Sequence, residues 1–259
     1  MSAPHFCPAC DEEVDAFLPG PGGRPGARCP HCEALERHRL LRMVLRSHRY
    51  LIVEPARVLD IAPAPSTRRT LRPGLGRRYV GVDRFMAGGV DVRCDLTQLP
   101  LQAVAFDLII CYHVLEHIPD DGGAIREMAR VLKPGGIAIV QVPRRRGVPT
   151  DEDPSAPEEV RITRFGQHDH IRWYGDDFES RLKEGGLLPT VVQPAGELSA
   201  KEIERFGLIK DEEIWICKRT DPYSGLARRK GVSRLFPLRT LPFRATRRLG
   251  RKAGRPARR

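Results

Sequence analysis

Four of the seven cysteines fall into one pattern, Cys7-x2-Cys10 and Cys29-x2-Cys32, separated by eighteen residues. Two tight Cys-x2-Cys pairs each offer two sulfurs to one tetrahedral ion. The spacing therefore predicts a zinc ion held by Cys7, Cys10, Cys29 and Cys32. Four thiolates leave no open position, so the predicted role is structural. Disulfides are the alternative. They are disfavoured because the opening residues MSAPHFCPACDEEVD lack the apolar stretch and basic start of a signal peptide, which predicts a cytoplasmic protein with reduced thiols. Cys94, Cys111 and Cys217 lie in apolar runs and read as small buried hydrophobes.

A second set of reactive groups lies between residues 57 and 143. The runs VLDIAPAPS, YVGVDRF and VRCDLTQLP each carry an acid where an apolar stretch gives way to polar residues: Asp60, Asp83 and Asp95. In an open parallel sheet, ligands bind beyond the carboxyl ends of the strands, so these three carboxylates should gather around one crevice. Histidines form the third set. His113 follows FDLIICY at a predicted strand end, and His168 and His170 flank Asp169 in FGQHDH. Imidazole titrates in the range a proton acceptor needs. Residues two apart point oppositely in an extended segment, so one of His168 and His170 should face the site, with Asp169 placed to orient it. For any single histidine a hydrogen-bonded structural role is the commoner outcome. Four polar residues in a row, however, are costly to bury without a polar ligand.

Positioning these groups requires alternating strands and helices. Residues 57–62 (strand one), 79–82 (strand two), 90–94 (a short strand three), 106–111 (strand four) and 137–142 (strand five) are apolar runs of strand length. Helices are expected over 66–71, closed by Pro73-Gly74, and after an Asp120 or Asp121 cap, stopped by Pro134-Gly135-Gly136. The segment 33–50 reads as a connecting helix with an apolar stripe of Leu35, Leu41, Val44 and Leu45 and a basic outer face. RRRGVPTDEDPSAPEEV has no period and reads as a loop or partly disordered segment, either a lid or an idle surface loop. Further on come a helix over DDFESRLKEGG, strand six at 187–192, a short helix at 201–206 and strand seven at 213–218.

Taken together, these segments resemble the class I S-adenosylmethionine (SAM)-dependent methyltransferases, in particular the type-11 group. More narrowly, they resemble a subgroup with an N-terminal four-cysteine ribbon, an Ala-Pro-Glu turn and a Phe-Gly-Gln-His-Asp-His segment. The resemblance covers roughly residues 58–218 and includes FDLIICYHVLEHI and the LKPGG before strand five. It implies an α/β Rossmann-like sheet of seven strands, the last antiparallel between strands five and six. It implies that Asp60 and the turn after it cup the methionine half of SAM, that Asp83 takes the ribose hydroxyls, and that Asp95 lies beside the adenine. Ala62, Leu96 and Tyr112 complete the implied cofactor contacts. His117, in LEHIPDD, is implied to shape the wall near the cofactor. The turn departs from the family pattern. It reads Ile61-Ala62-Pro63-Ala64-Pro65-Ser66, two prolines offer no N–H, and Ala64 stands where the subgroup has glutamate.

Composition limits the rest. The net charge of +11 is concentrated at the end of the chain: residues 219–259 hold 14 Lys or Arg and one acid, Asp221, leaving −2 for residues 1–218. A nearly neutral body argues against a large phosphate-tracking surface, while the basic tail reads as disordered and suited to weak polyanion contact. The expected organisation is a ribbon (1–32), a connecting helix (33–50), a SAM-binding domain (51–218) and a tail (219–259). No apolar run is long enough to span a bilayer. Methyl transfer to a small-molecule or sugar-like acceptor is the leading expectation. A nucleic-acid (RNA) methyltransferase and a non-catalytic binding protein with a degenerate turn stay open.

Overall fold

A computed structural model describes residues 5–47, 56–85 and 88–220. The basic tail expected over 219–259 lies outside the described residues from position 221 onward. Ribbon, connecting helix and sheet all fall within one compact unit, residues 1–228.

The chain starts with two short antiparallel strands, β1 (His5–Cys7) and β2 (Glu12–Val14), followed by helix α1 (Glu36–Ser47). Strand β3 (Val58–Ile61) leads into α2 (Pro65–Leu75), then β4 (Tyr79–Asp83), β5 (Val92–Arg93) and β6 (Phe106–Tyr112). Helix α3 (Asp121–Val131) runs straight into β7 (Leu132–Gln141). The second half adds β8 (Asp151–Glu152), α4 (Glu158–Phe165), β9 (Arg172–Trp173), α5 (Phe178–Glu184), β10 (Leu187–Val192), α6 (Ala200–Phe206) and β11 (Ile214–Arg219).

Seven strands form the central sheet in the order β10-β11-β7-β6-β3-β4-β5. β3 through β7 are mutually parallel, and β11 is antiparallel to both β7 and β10, as expected. All four residues of β3 are buried and six of the seven in β6, because both faces of a parallel sheet are covered. Leu59, Ile109, Met128, Val140, Phe178 and Trp215 anchor the main core.

Several expected boundaries move. Strand three shrinks to two residues, because Asp91 turns back on β4: its Oδ2 accepts from Gly81 N at 2.8 Å and meets Arg72 at 2.7 Å. Gly81 must lack a side chain here, since a Cβ would lie 2.9 Å from the Gly89 carbonyl oxygen and 3.1 Å from Pro63. Helix α2 does not close at Pro73 but runs through it to Leu75. A proline so near the end disturbs few hydrogen bonds, and Gly76 (φ 56°) makes the actual stop. Helix α3 has the expected Asp120 cap, accepting from Gly123 N at 2.7 Å, but ends at Val131, ahead of Pro134. Pro134-Gly135-Gly136 instead forms an irregularity within β7, between the Phe106–Leu132 and Leu108–Ile137 pairs.

The stretch expected to be a loop or partly disordered segment is fixed in place. Arg144 bridges Asp176 (2.6 Å) and Glu213 (3.0 Å), Asp177 accepts from both Thr150 N (2.6 Å) and Thr150 Oγ1 (2.7 Å), and β8 pairs with β9. Gly175 permits the closest approach: a Cβ there would sit 2.2 Å from the backbone of Val148 and Pro149. These partners lie tens of residues apart and leave no periodic trace in the sequence.

Candidate active site

A cleft of about 340 Å³ opens at the carboxyl ends of β3 and β6. Its floor is Asp60, Ile61 and Ile110, one side is the turn 62–65 with Thr67 of α2, and another is Tyr112 and His113. Arg37, His38 and Leu41 of α1 form its remaining wall. The helix expected only to connect ribbon and domain therefore closes over the sheet edge.

Asp60 is almost fully buried and accepts a 2.7 Å hydrogen bond from Tyr79 Oη. Burial raises its carboxyl to about 7, and the Tyr79 hydrogen bond offsets only part of that. Ala62 holds φ 50°, a left-handed conformation that strains a residue with a Cβ, and its N–H is committed to the Val82 carbonyl at 2.8 Å. With Pro63 and Pro65 also lacking N–H groups, the turn itself has few donors. The first turn of α2, at Pro65 and Thr67, borders the same space, and the unpaired amides of a helix N-terminus favour an anion. Arg37 adds a cation; burial lowers its pKa, and it has no hydrogen-bond partner among the described residues. His38 Nδ1 accepts from Leu35 N at 3.2 Å and lies 3.3 Å from Ser66 Oγ. Burial, then Arg37 and His113, push its pKa down to about 3, so the ring is neutral at physiological pH. Tyr112 Oη is buried in the cleft wall with no partner among the described residues.

Asp83 and Asp95 lie farther along the same carboxyl edge, outside the walls of this cleft. Asp83 ends β4 half-buried, and its Oδ1 accepts from Phe85 N at 3.2 Å; the Phe85 ring is 69% exposed. Asp95 caps the 3-10 turn Leu96–Gln98: its Oδ1 takes both Thr97 N and Thr97 Oγ1 at 2.8 Å, while Leu96 is buried.

The histidines separate. His113 lines the cleft with φ 53°, its N–H held by the Gln141 carbonyl at 2.8 Å. Its Nδ1 lies 3.3 Å from Oε1 of Glu116, a fully buried carboxylate. His170 is buried with Nδ1 3.2 Å from the Phe165 carbonyl oxygen, and its Nε2 lies 4.0 Å from the same Glu116 oxygen. His168 is exposed and does not join them, nor does Gln167, which donates to Asp169 at 2.8 Å; Asp169 in turn meets His117, its Oδ2 3.3 Å from Nδ1, and not His168 or His170. The expectation that 167–170 faces an acceptor as a unit therefore narrows to His170.

Glu116 and Arg37 went unnoticed in the sequence. Arg172 makes the first visible. It is fully buried, donates from Nη1 to the Leu115 carbonyl (2.8 Å) and the Ile118 carbonyl (2.5 Å), from Nη2 to the Pro119 carbonyl (3.0 Å), and pairs with Glu152 (2.9 Å). It thus clamps the 3-10 turn Leu115–His117 against β9. A lone arginine in HIRWYG was the available signal.

At the N-terminus, the four predicted sulfurs cluster within 4.8 Å of one another. Cys7 Sγ is 3.7 Å from Cys32 Sγ and Cys10 Sγ is 3.9 Å from Cys29 Sγ, too long for disulfide bonds. Cys94, Cys111 and Cys217 are free thiols, the last two buried and Cys94 half-buried.

Residues 55–140 match the methyltransferase domain family Methyltransf_11. Among curated proteins, the chain is 28% identical over 145 residues to a 27-O-demethylrifamycin SV methyltransferase of Amycolatopsis mediterranei, covering 51% of each chain. It is 33% identical over 81 residues to a probable S-adenosylmethionine-dependent methyltransferase of Mycolicibacterium smegmatis, covering 27% of this chain and 32% of that protein. It is also 44% identical over 66 residues to a ubiquinone/menaquinone biosynthesis C-methyltransferase of Xylella fastidiosa, covering 24% and 26%. The chain thus spans about half the length of the first of these relatives and about a third or less of the others. No helix among the described residues is long and apolar enough to cross a membrane. The matched segment holds β3 through most of β7 and most of the cleft, so the likeness to a methyltransferase domain falls on the Rossmann-like α/β sheet and on the walls it contributes to that cleft.

Proposed function

We propose that this protein transfers a methyl group from SAM to a hydroxyl of a small molecule. The observation that carries the reading is the pairing of opposite charges in one cleft of the methyltransferase domain: Asp60 on one side, Arg37 and the α2 N-terminus on another. The amino-acid half of SAM presents an ammonium and a carboxylate, and the cleft offers a partner to each. Arg37 compensates for a turn poor in N–H donors by offering a cation to the SAM carboxylate, and with alanine at 64 the ammonium is left to Asp60. Tyr112 Oη supplies a further hydrogen bond. Asp83 takes the ribose hydroxyls, and Asp95 and Leu96 border the adenine, with the exposed Phe85 ring beside them.

Methyl transfer is an in-line displacement at a carbon already activated by the sulfonium, so the protein mainly aligns the two reactants and excludes water. A hydroxyl acceptor also needs a base. His113 fits that role, since its ring borders the cleft while Nδ1 faces the buried Glu116 carboxylate, which orients it. His170 acts behind it. The small-molecule acceptor is supported by relatives whose names specify rifamycin and quinone methylation.

Zinc is proposed for the ribbon. Four sulfurs around one zinc at about 2.3 Å stand about 3.8 Å apart, close to the 3.7 and 3.9 Å separations here. Burial and the neighbouring Cys7 push the Cys10 thiol up to about 12, and a bound cation is what would let it ionise. Its role is to hold a segment too small for a core of its own.

Calorimetry with SAM and S-adenosylhomocysteine tests the cofactor site, and an untargeted search for methylated product tests the reaction. Absence of binding heat with either ligand at millimolar concentration would leave a non-catalytic binding protein.

A further inference from the structure

Behind the cleft, Glu116, His117 and His170 bring three metal-ligating atoms within 4.8 Å of one another. Glu116 is fully buried, and neither of its oxygens has a hydrogen-bond partner among the described residues. The nearest group, His113 Nδ1, stands 3.3 Å from Oε1 and makes an ion pair there only while its ring is protonated. A buried carboxylate left this way is costly unless a cation serves it.

The imidazoles are arranged to meet that need. His170 Nδ1 stands 3.2 Å from the Phe165 carbonyl oxygen, which fixes the proton there and leaves Nε2 as a lone pair facing Glu116. His117 Nδ1 stands 3.1 Å from the Asp169 carbonyl oxygen and 3.3 Å from its carboxylate, which fixes the proton there in the same way. An imidazole whose far nitrogen donates to a carbonyl or carboxylate is the usual form of a metal ligand. Two such rings beside an unpaired carboxylate set lone pairs against each other, a repulsive arrangement that a shared cation turns into an attractive one. The site is also held rigidly: Arg172 clamps the turn carrying Glu116 and His117, and Ile171 N donates to the Glu116 carbonyl at 3.1 Å.

We propose that Glu116, His117 and His170 form a second metal site, separate from the cysteine cluster, for a divalent first-row transition ion. Two imidazoles and one carboxylate suit manganese, iron, cobalt or zinc, and three protein ligands leave positions open. His113 stands between this site and the cleft, so an ion here would act on the reaction through the position and charge of that ring and not by direct contact with the acceptor. That use rests on the methyltransferase reading; binding of the ion does not.

The test is a Co2+ titration of full-length protein, its cysteines already carrying zinc, followed by visible absorption. Thiolate-to-cobalt charge-transfer bands would reveal any entry into the cysteine site. One equivalent of cobalt should bind with d–d bands and without charge transfer. Glu116→Gln, His117→Asn and His170→Asn should each weaken that binding by more than about tenfold, with far-ultraviolet circular dichroism unchanged. His168→Asn, at an exposed neighbour, should leave it intact. Wild-type protein that takes up no cobalt at millimolar concentration overturns the proposal, whatever its SAM affinity. So does cobalt binding that survives both Glu116→Gln and His170→Asn. Because Glu116→Gln could compromise folding, the wild-type stoichiometry and His170→Asn decide the matter without it.

Discussion

Asp60→Asn tests the electrostatics of the cleft with one atom's change. Asp60 is fully desolvated, and its carboxyl is raised from 3.8 to about 7. A carboxyl whose folded pKa is raised binds its proton more tightly in the fold than in the unfolded chain. Stability from this group is therefore complete below about pH 4, falls as pH rises to about 7, and is flat above that. The displacement corresponds to about 4 kcal/mol at pH 8. An asparagine keeps the acceptor for Tyr79 Oη and carries no charge. Thermal unfolding of both proteins from pH 4 to 8 should show near-equal stability at the acid end and a variant several degrees more stable at pH 8. For a chain of this size, each kcal/mol moves Tm by roughly 2–4 °C. Comparing the difference between the two proteins cancels the remaining titrations.

The same residue should reverse sign when the ligand is added. A cationic SAM ammonium favours ionised Asp60, so binding to wild type should strengthen as pH rises toward 7 and release protons, seen as a binding enthalpy that depends on the buffer. Asp60→Asn should bind SAM more weakly, with no such release. A stability difference that stays flat across pH would refute the burial argument. A variant that binds SAM as tightly as wild type would refute the placement of the ligand.

Arg37→Gln should weaken SAM binding by about tenfold or more, the loss of one charge-assisted hydrogen bond, with little change in Tm; calorimetry reads it. His113→Asn should slow turnover by roughly 10²-fold while SAM affinity stays close to wild type, and His168→Asn should change neither. Arg172→Met should destabilise the protein by about 2–4 kcal/mol in chemical denaturation, since it leaves the Ile118 and Pro119 carbonyls without their donor and takes from Glu152 one of its two arginines, Arg181 remaining. Elemental analysis should find zinc in protein purified without added metal, and Cys29→Ser should lose it.

What the sequence revealed was governed by local rules. The parallel strands were legible because both faces of β3 and β6 are covered, which forces continuous apolar runs, and because Asp60, Asp83 and Asp95 mark the carboxyl ends of β3, β4 and β5. The cysteine cluster was legible because two Cys-x2-Cys knuckles can hardly serve anything else. Contacts between distant residues were not legible. The basic face of α1 looked like an ordinary solvated face, since nothing near Arg37 in sequence shows that it walls the same cleft as Asp60. Glu116 and His170 are 54 positions apart and meet only because Arg172 ties the turn after β6 to β9. The charged stretch 144–160 looked disordered because its order comes from ion pairs with 164–177 and 213, not from apolar periodicity.

The position of α1 also explains why a ribbon belongs on this domain. Arg39 is fully buried, donates to the Ala27 and Ala34 carbonyls at 2.9 and 2.8 Å and to the Gly207 carbonyl, and lies 4.0 Å from the Phe17 ring centroid. One side chain thus joins the ribbon, α1 and the segment after α6. Thr70 Oγ1 of α2 donates to the Ala9 carbonyl at 3.2 Å, and Arg69 reaches the Cys32 carbonyl, so the cysteine knuckles also brace the helix whose first turn borders the cleft. Arg37 and His38 are two and one positions before Arg39 and share its support. A metal that orders the knuckles therefore orders two walls of the cofactor cleft, although none of its ligands lines it. On this argument, stripping the ribbon metal from intact protein weakens SAM binding while leaving β3, β6 and β7 folded. Far-ultraviolet circular dichroism and calorimetry on the same chelated sample would show both effects, and unchanged SAM affinity after complete metal removal would refute the coupling.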